Sequence, residues 1–195
     1  PGIAGFEDGR ASILPVGQGD VAAVKAEANA GRWLQSDYHL PFLAHAALEP
    51  LATTAWVRTA RCDLWVGTQA PSRAQDWAAK ITGLPLDAVH VHTHVIGGAF
   101  GRRGEWDYVV EAVELSRDVG APVKVMWTRE DDMTGGIYRP AVRYHFKAGL
   151  DASGNMIAFY LRGVGLNAGN ATRQDNFPVG AIDNVLIESV NQVSS

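Results

Sequence analysis

Apolar positions change their spacing several times along the chain, and each change marks an element. Asp20 followed by Val21, Ala22, Ala23 and Val24 predicts a short helix capped by Asp20 and closed near Gly31. Ala55–Thr59 and Leu64–Thr68 carry the β-branched and aromatic residues of two strands. Ser72 is placed to cap a helix to about Gly83, with Trp77, Ala78 and Ile81 at helical spacing. Val89–Val95 alternates apolar and polar residues, the pattern of a half-buried strand. Residues 97–104 are glycine-rich. Glu105 to Val119 then reads as an amphipathic helix, with Val109, Ala112, Val113 and Leu115 apolar and Gly120 in the C′ position. Pro122–Trp127 is a further strand, and Val142–Leu150 with Asn155–Gly165 forms a hairpin around Asp151-Ala152-Ser153-Gly154.

This order predicts a mixed α/β (α+β) fold, a partly parallel mixed sheet with helices packed on it. The periodicity divides the chain into a weakly defined segment 1–35, a main domain 36–165, and a segment 166–195 without a clear pattern. Hydrophobic residues make up 47% and charged residues 19% of the 195, ample for a packed core and unlike a disordered segment. No apolar run approaches the roughly 20 residues that span a bilayer. The formal net charge of −4 argues against a nucleic-acid partner, since proteins that grip phosphate backbones are usually basic. The first residues show no basic region leading into an apolar stretch, so no signal peptide is expected there. The missing initiator Met and the ending in Val193-Ser194-Ser195 fit an excerpt from a longer chain, and the compartment stays open. The single cysteine, Cys62, cannot by itself make a disulfide or hold an iron–sulfur cluster, and it reads as a buried thiol at the start of a strand.

Five features carry candidate chemistry. Gly97-Gly98-Ala99-Phe100-Gly101-Arg102-Arg103 follows a strand and precedes a helix. Its glycines let the main chain approach a ligand, and the helix N-terminus and two arginines add positive charge, which suits a phosphate. Neither a Walker loop nor the dinucleotide fingerprint is present. Gly67-Thr68-Gln69-Ala70-Pro71 places a neutral amide, Gln69, at a strand's C-terminal end, where ligands of open α/β sheets collect. His90, His92 and His94 share one strand face, neighbours about 6–7 Å apart, and a His-x-His pair can reach one metal ion. His45 and Glu49 are four residues apart and could pair on a helix, with Pro50 as terminator. Thr128–Met133 is an acid-rich turn and helix cap.

Three readings follow from these residues: a site built on the glycine loop and Gln69, a metal-dependent hydrolase built on the histidines, and a non-enzymatic nucleotide- or anion-binding module. The order of the motifs favours the first. Pro41-x-x-x-His45-x-x-x-Glu49-Pro50, Gly67-Thr68-Gln69-x-Pro71, the 97–103 loop and Pro122-Val123-Lys124 with Thr128-Arg129-Glu130-Asp131 together resemble the molybdenum-binding large subunit of the xanthine dehydrogenase/aldehyde oxidase family. Phe100-Gly101-Arg102-Arg103 and Tyr138-Arg139-Pro140 are most similar to the isoquinoline 1-oxidoreductase beta-subunit type. The likeness covers roughly residues 36–165 and implies the molybdenum-cofactor-binding domain of a molybdenum hydroxylase, incomplete in this chain.

The resemblance implies a molybdenum–molybdopterin cytosine dinucleotide cofactor, an iron–sulfur partner subunit or domain that takes the electrons, and a small aromatic or aldehyde substrate. It implies that Gln69 donates to the apical oxo ligand, that Phe100 borders the substrate, and that Gly97, Gly98, Ala99, Phe100, Gly101 and Arg102 contact the cofactor. No protein ligand to the metal is implied. Ala99 replaces a family glycine, and Gly104 stands where the purine enzymes carry a carboxylate, which directs expectation to an N-heterocycle or an aldehyde. The family's catalytic glutamate has no counterpart in these residues, so this chain alone is expected to be inactive.

Overall fold

The computed structural model describes residues 13–25, 31–166, 168–177 and 179–191. They form two compact units, one from the residues up to Leu43 together with those from Pro140 onward, the other Ala44–Arg139.

The first unit is a five-stranded sheet of β1 (Ile13–Gln18), β2 (Arg32–Leu40), β7 (Val142–Leu150), β8 (Met156–Gly165) and β9 (Asn184–Asn191), in the order β1-β9-β8-β7-β2. Only β8 and β9 run parallel. The expected hairpin is β7–β8, and Asp151 closes its turn by accepting the N–H groups of Ser153 and Asn155. The segment after residue 166 is more ordered than its pattern suggested. It contains a short helix α5 (Ala168–Ala171) and β9, whose Val185–Val190 are all buried. A strand covered on both faces cannot alternate, so its sequence carries no period-2 signal. The helix expected after Asp20 is α1 (Val21–Lys25); residues 26–30, between it and the expected closure near Gly31, lie outside the described residues. The expected boundary near residue 35 falls inside β2, because β2 pairs along its whole length with β7.

The second unit is a four-stranded sheet of β3 (Ala52–Arg58), β4 (Arg61–Val66), β5 (Val89–Thr93) and β6 (Val123–Met126), in the order β5-β4-β3-β6. β4 and β5 are parallel and are joined by α2 (Pro71–Thr82), a βαβ crossover. Helix α3 (Asp107–Val119) packs beside α2, and Leu64, Val66, Ala78, Val89, Val109, Ala112 and Val113 make the core between helices and sheet. Gly83 and Gly120 end their helices with left-handed φ of 73° and 69°. Ser72 is not the cap of α2. The cap position is Ala70, without a side-chain bond, and Pro71 supplies the preset φ of a first helical turn. Ser116 is polar yet fully buried in α3, because its hydroxyl accepts Val57 N–H at 3.0 Å and donates to Ala121 O at 2.8 Å. Helix α4 (Arg129–Thr134) is capped by Thr128, with Asp131 completing a capping box. No helix among the described residues is long and apolar enough to cross a membrane.

Leu64 is fully buried at the centre of this core. Truncation to Ala is expected to destabilise the unit by about 3 kcal/mol, read as a lower urea midpoint at unchanged slope. A loss below about 1 kcal/mol would contradict the packing described.

Candidate functional site

Because β4 and β5 are parallel neighbours, the loops after them leave from the same end of the sheet. The first carries Gly67-Thr68-Gln69, the second residues 94–101. A Cβ on Gly67 would collide with the Ile96 side chain, so glycine lets the two loops close on each other. Thr68 Oγ donates to Arg103 O at 2.9 Å and accepts Ala70 N–H at 3.0 Å, while Gln69 N–H donates to Arg103 O at 3.0 Å. Tyr108, buried on α3, adds its hydroxyl to Gly67 O at 3.2 Å.

The second loop is backbone in unusual conformations. Gly98 and Gly101 have φ of 100° and 95°, and Phe100, which is not a glycine, has φ of 52°. Such a residue is strained and persists only where neighbours hold it. Phe100 is nevertheless 65% exposed. Gly97 N–H donates to the Glu49 carboxylate at 2.6 Å, and Gly101 N–H donates to Gln69 Oε1 at 3.1 Å. Between them, the N–H groups of Gly98, Ala99 and Phe100 have no partner among the described residues. Since Gln69 accepts through its oxygen, the end of its amide left to donate is the NH2.

The arginines do something other than offer free charge. Arg103 is 0% exposed. Its guanidinium donates to Gly98 O at 3.0 Å, Gly67 O at 3.2 Å, Glu49 O at 3.0 Å and Pro50 O at 3.2 Å, and it lies 3.1 Å from the Glu49 carboxylate. Arg102 grips Asp107 with two bonds of 2.8 and 2.6 Å and lies over the Trp127 ring. Asp107 occupies the first turn of α3, and a 3-10 turn at Arg102–Gly104 separates that helix from the loop. The helix N-terminus and the two guanidinium groups are therefore answered within the unit, and the donors the loop offers outward are main-chain N–H groups.

The other candidates resolve differently. His45 and Glu49 do not lie on a helix, and Glu49 bonds Gly97 and Arg103 instead of His45. Burial, helped by the charges of Arg139 and Arg102, lowers the His45 pKa below its ordinary value. Only His90 and His92 lie within β5. His94 falls beyond its end and bonds Val95 O, because the expected strand stops at Thr93. His92 bonds Asp63 at 2.9 Å and stacks on Trp65. Among the described residues no group of three or more His, Cys, Asp or Glu is arranged to hold a metal ion. Asp63 is buried where Arg58, Arg61 and His92 converge, and the Arg61 bond is the largest of the causes that hold its carboxyl well below the usual range. Burial and the Asp63 charge push the Cys62 thiol up to about 11. In the acid-rich turn, Arg129 donates at 2.8 Å to both Ala47 O and Leu48 O. The organising roles of Arg103, Tyr108 and Arg129 were not anticipated from sequence. For Tyr108 the phase of the buried stripe 108, 112, 116 was the available signal.

Residues 6–184 match the family described as molybdopterin cofactor-binding domain. Isoquinoline 1-oxidoreductase subunit beta of Brevundimonas diminuta is 40% identical over 88 residues, 45% of this chain and 11% of that protein. The aldehyde oxidoreductase molybdenum-binding subunit PaoC of Escherichia coli K12 is 32% identical over 139 residues, 70% of this chain and 18% of that protein. The chain thus spans less than a fifth of the length of these two curated relatives. Among solved structures, aldehyde oxidoreductase from Desulfovibrio gigas superposes with a TM-score of 0.76 at 16% identity, over 92% of this chain and 21% of that one. That likeness establishes the fold.

Two outcomes are expected. Arg103→Met leaves four carbonyls and the Glu49 carboxylate without their shared donor, and should destabilise by about 3–5 kcal/mol in urea titration; a midpoint close to wild type would contradict the clamp. Cys62 should resist alkylation at neutral pH in the folded protein and react readily once denatured, because little thiolate exists while it is buried. Equal rates in both states would contradict its burial.

Proposed function

The chain belongs to the molybdopterin cofactor-binding domain family, and from that premise we propose that it supplies the roof and one wall of the active site of a molybdenum hydroxylase. The observation that carries this reading is the juxtaposition at one sheet end of three main-chain N–H groups without a partner among the described residues and an amide whose NH2 is left to donate. Consecutive N–H groups in a strained turn favour an anion such as the cofactor's phosphate or its dithiolene sulfurs. Gly97, Gly98 and Gly101 bare the backbone for that approach, and Ala99 adds only a methyl group. Gln69 is suited to donate to an oxo group without adding charge. When bound, the molybdenum group supplies a two-electron redox centre and a place for a water-derived oxygen.

Phe100, exposed at the loop tip, gives a planar substrate an apolar face to lie against. Arg102 serves the site through its bond to Asp107, which anchors the loop's C-terminal end. The names of the two relatives described above point to an N-heterocycle or an aldehyde as substrate, and Gly104 brings no carboxylate to read a purine. A cytosine dinucleotide form of the cofactor, an iron–sulfur partner for the electrons and a catalytic carboxylate from outside these residues complete the proposal. Such a partner is consistent with a chain whose single cysteine is buried.

The test uses the complete enzyme containing this chain. One cytosine nucleotide and two phosphorus atoms per molybdenum are expected when the cofactor is released by denaturation and hydrolysed. Gln69→Ala should lower kcat roughly tenfold to a hundredfold while bound molybdenum stays constant, because the amide adjusts an oxo group and does not hold the metal. Unchanged turnover, or loss of molybdenum in step with activity, would overturn the Gln69 assignment.

A further inference from the structure

The His-x-x-x-Glu spacing at residues 45–49 has no part in the proposal above, yet this segment runs beside the whole glycine loop. Glu49 accepts Gly97 N–H at 2.6 Å through its carboxylate, and its own N–H donates to Gly97 O at 3.2 Å. The Ala47 Cβ lies 3.5 Å from where a Cβ on Gly98 would stand. His45 Nε2 lies 4.0 Å from the same position on Gly101. The segment can reach both ends of the loop because it turns at Ala46, a non-glycine residue with φ of 48°. That turn is braced from outside, by Arg129 on the carbonyls of Ala47 and Leu48 and by Arg103 on those of Glu49 and Pro50.

We propose that residues 45–49 are a splint for the cofactor loop, in which Glu49 sets Gly97 and His45 is the positioning residue beneath Gly101; this rests on the reading that the loop holds molybdopterin. Gly101 N–H is the bond that orients Gln69, so any displacement of Gly101 misdirects the Gln69 amide. His45 Nδ1 is out of water and, among the described residues, makes no well-formed hydrogen bond. The charged groups facing the ring are Arg139 and Arg102, which resist its protonation, and Asp132, which together with the Ile137 main chain favours it. Burial is the larger cause and the arginines add to it, so the ring stays neutral at neutral pH. Acidification adds a cation beside Gly101 where Arg139 and Arg102 already oppose it, and so loosens the loop. In stability terms the unfolded chain takes up this proton first, so the penalty begins as pH falls through the ordinary histidine range.

The experiment measures release of molybdenum and phosphate from the complete holoenzyme as pH is lowered. Wild type is expected to lose cofactor with a midpoint below the ordinary histidine value. His45→Gln keeps a polar group but cannot take the proton, and should release cofactor about tenfold more slowly at the wild-type midpoint. Arg139→Gln, an exposed change outside the binding loop, removes one opposing charge and should move the midpoint to higher pH. The same midpoint in wild type and both variants overturns the splint, and if His45→Gln fails to fold, the Arg139→Gln midpoint decides alone. A wild-type enzyme with no molybdopterin at any pH instead refutes the cofactor reading.

Discussion

The site depends on one buried guanidinium. Arg103 has no exposure to solvent, and removing such a charge from water is strongly unfavourable unless its donors are met. Here four carbonyls from three stretches of chain, 49–50, 67 and 98, meet them, and Glu49 supplies the opposite charge. The requirement also works in reverse: those three stretches can satisfy Arg103 only when they converge. A planar fork with five donors suits this task, whereas an ammonium with three could not cover the same carbonyls. Arg129 repeats the device on Ala47 and Leu48, so cations grip four consecutive carbonyls from residue 47 to 50.

Convergence explains the strain around it. Phe100 and Ala46 are the non-glycine residues with positive φ among those described, and both belong to segments gripped by these arginines. A left-handed backbone at a residue with a Cβ costs of order 1–3 kcal/mol. The arginine bonds offset that cost, and in return an exposed aromatic residue stands beside three N–H groups that no described residue pairs.

How much of this was legible in the sequence differs by layer. Strands and helices flanking the site followed from periodicity, since Val89–Thr93 alternates and the stripe on α3 repeats every turn. β9 did not, because a strand buried on both faces has no alternation to read. The glycine loop, Gln69 and their order pointed to the correct family, while Arg102 and Arg103, expected to offer their charge to an anion, are engaged by Asp107 and by carbonyls. Adjacent arginines look the same in a string whether they face solvent or are swallowed by carbonyls. What separates the cases is acceptor supply from residues 49, 50 and 67, remote in sequence, together with Asp107. His45 and Glu49 show the same limit: their i, i+4 spacing suggested a helical pair, and the turn at Ala46 sends them to opposite ends of another loop.

On the proposed function, a site whose donors are neutral has a chemical advantage for a redox group that changes charge during turnover. Free arginines would favour the more negative state and hold it. Main-chain N–H groups and the Gln69 amide carry only partial charges, so their preference between charge states is smaller. Arg102 and Arg103 still add a positive field from behind the loop, softened by Asp107 and Glu49 at 2.6 and 3.1 Å. Burying the arginines therefore does two things at once: it fixes the loop in place, and it withdraws from the loop's outer face the full charges that would otherwise bias the chemistry held there.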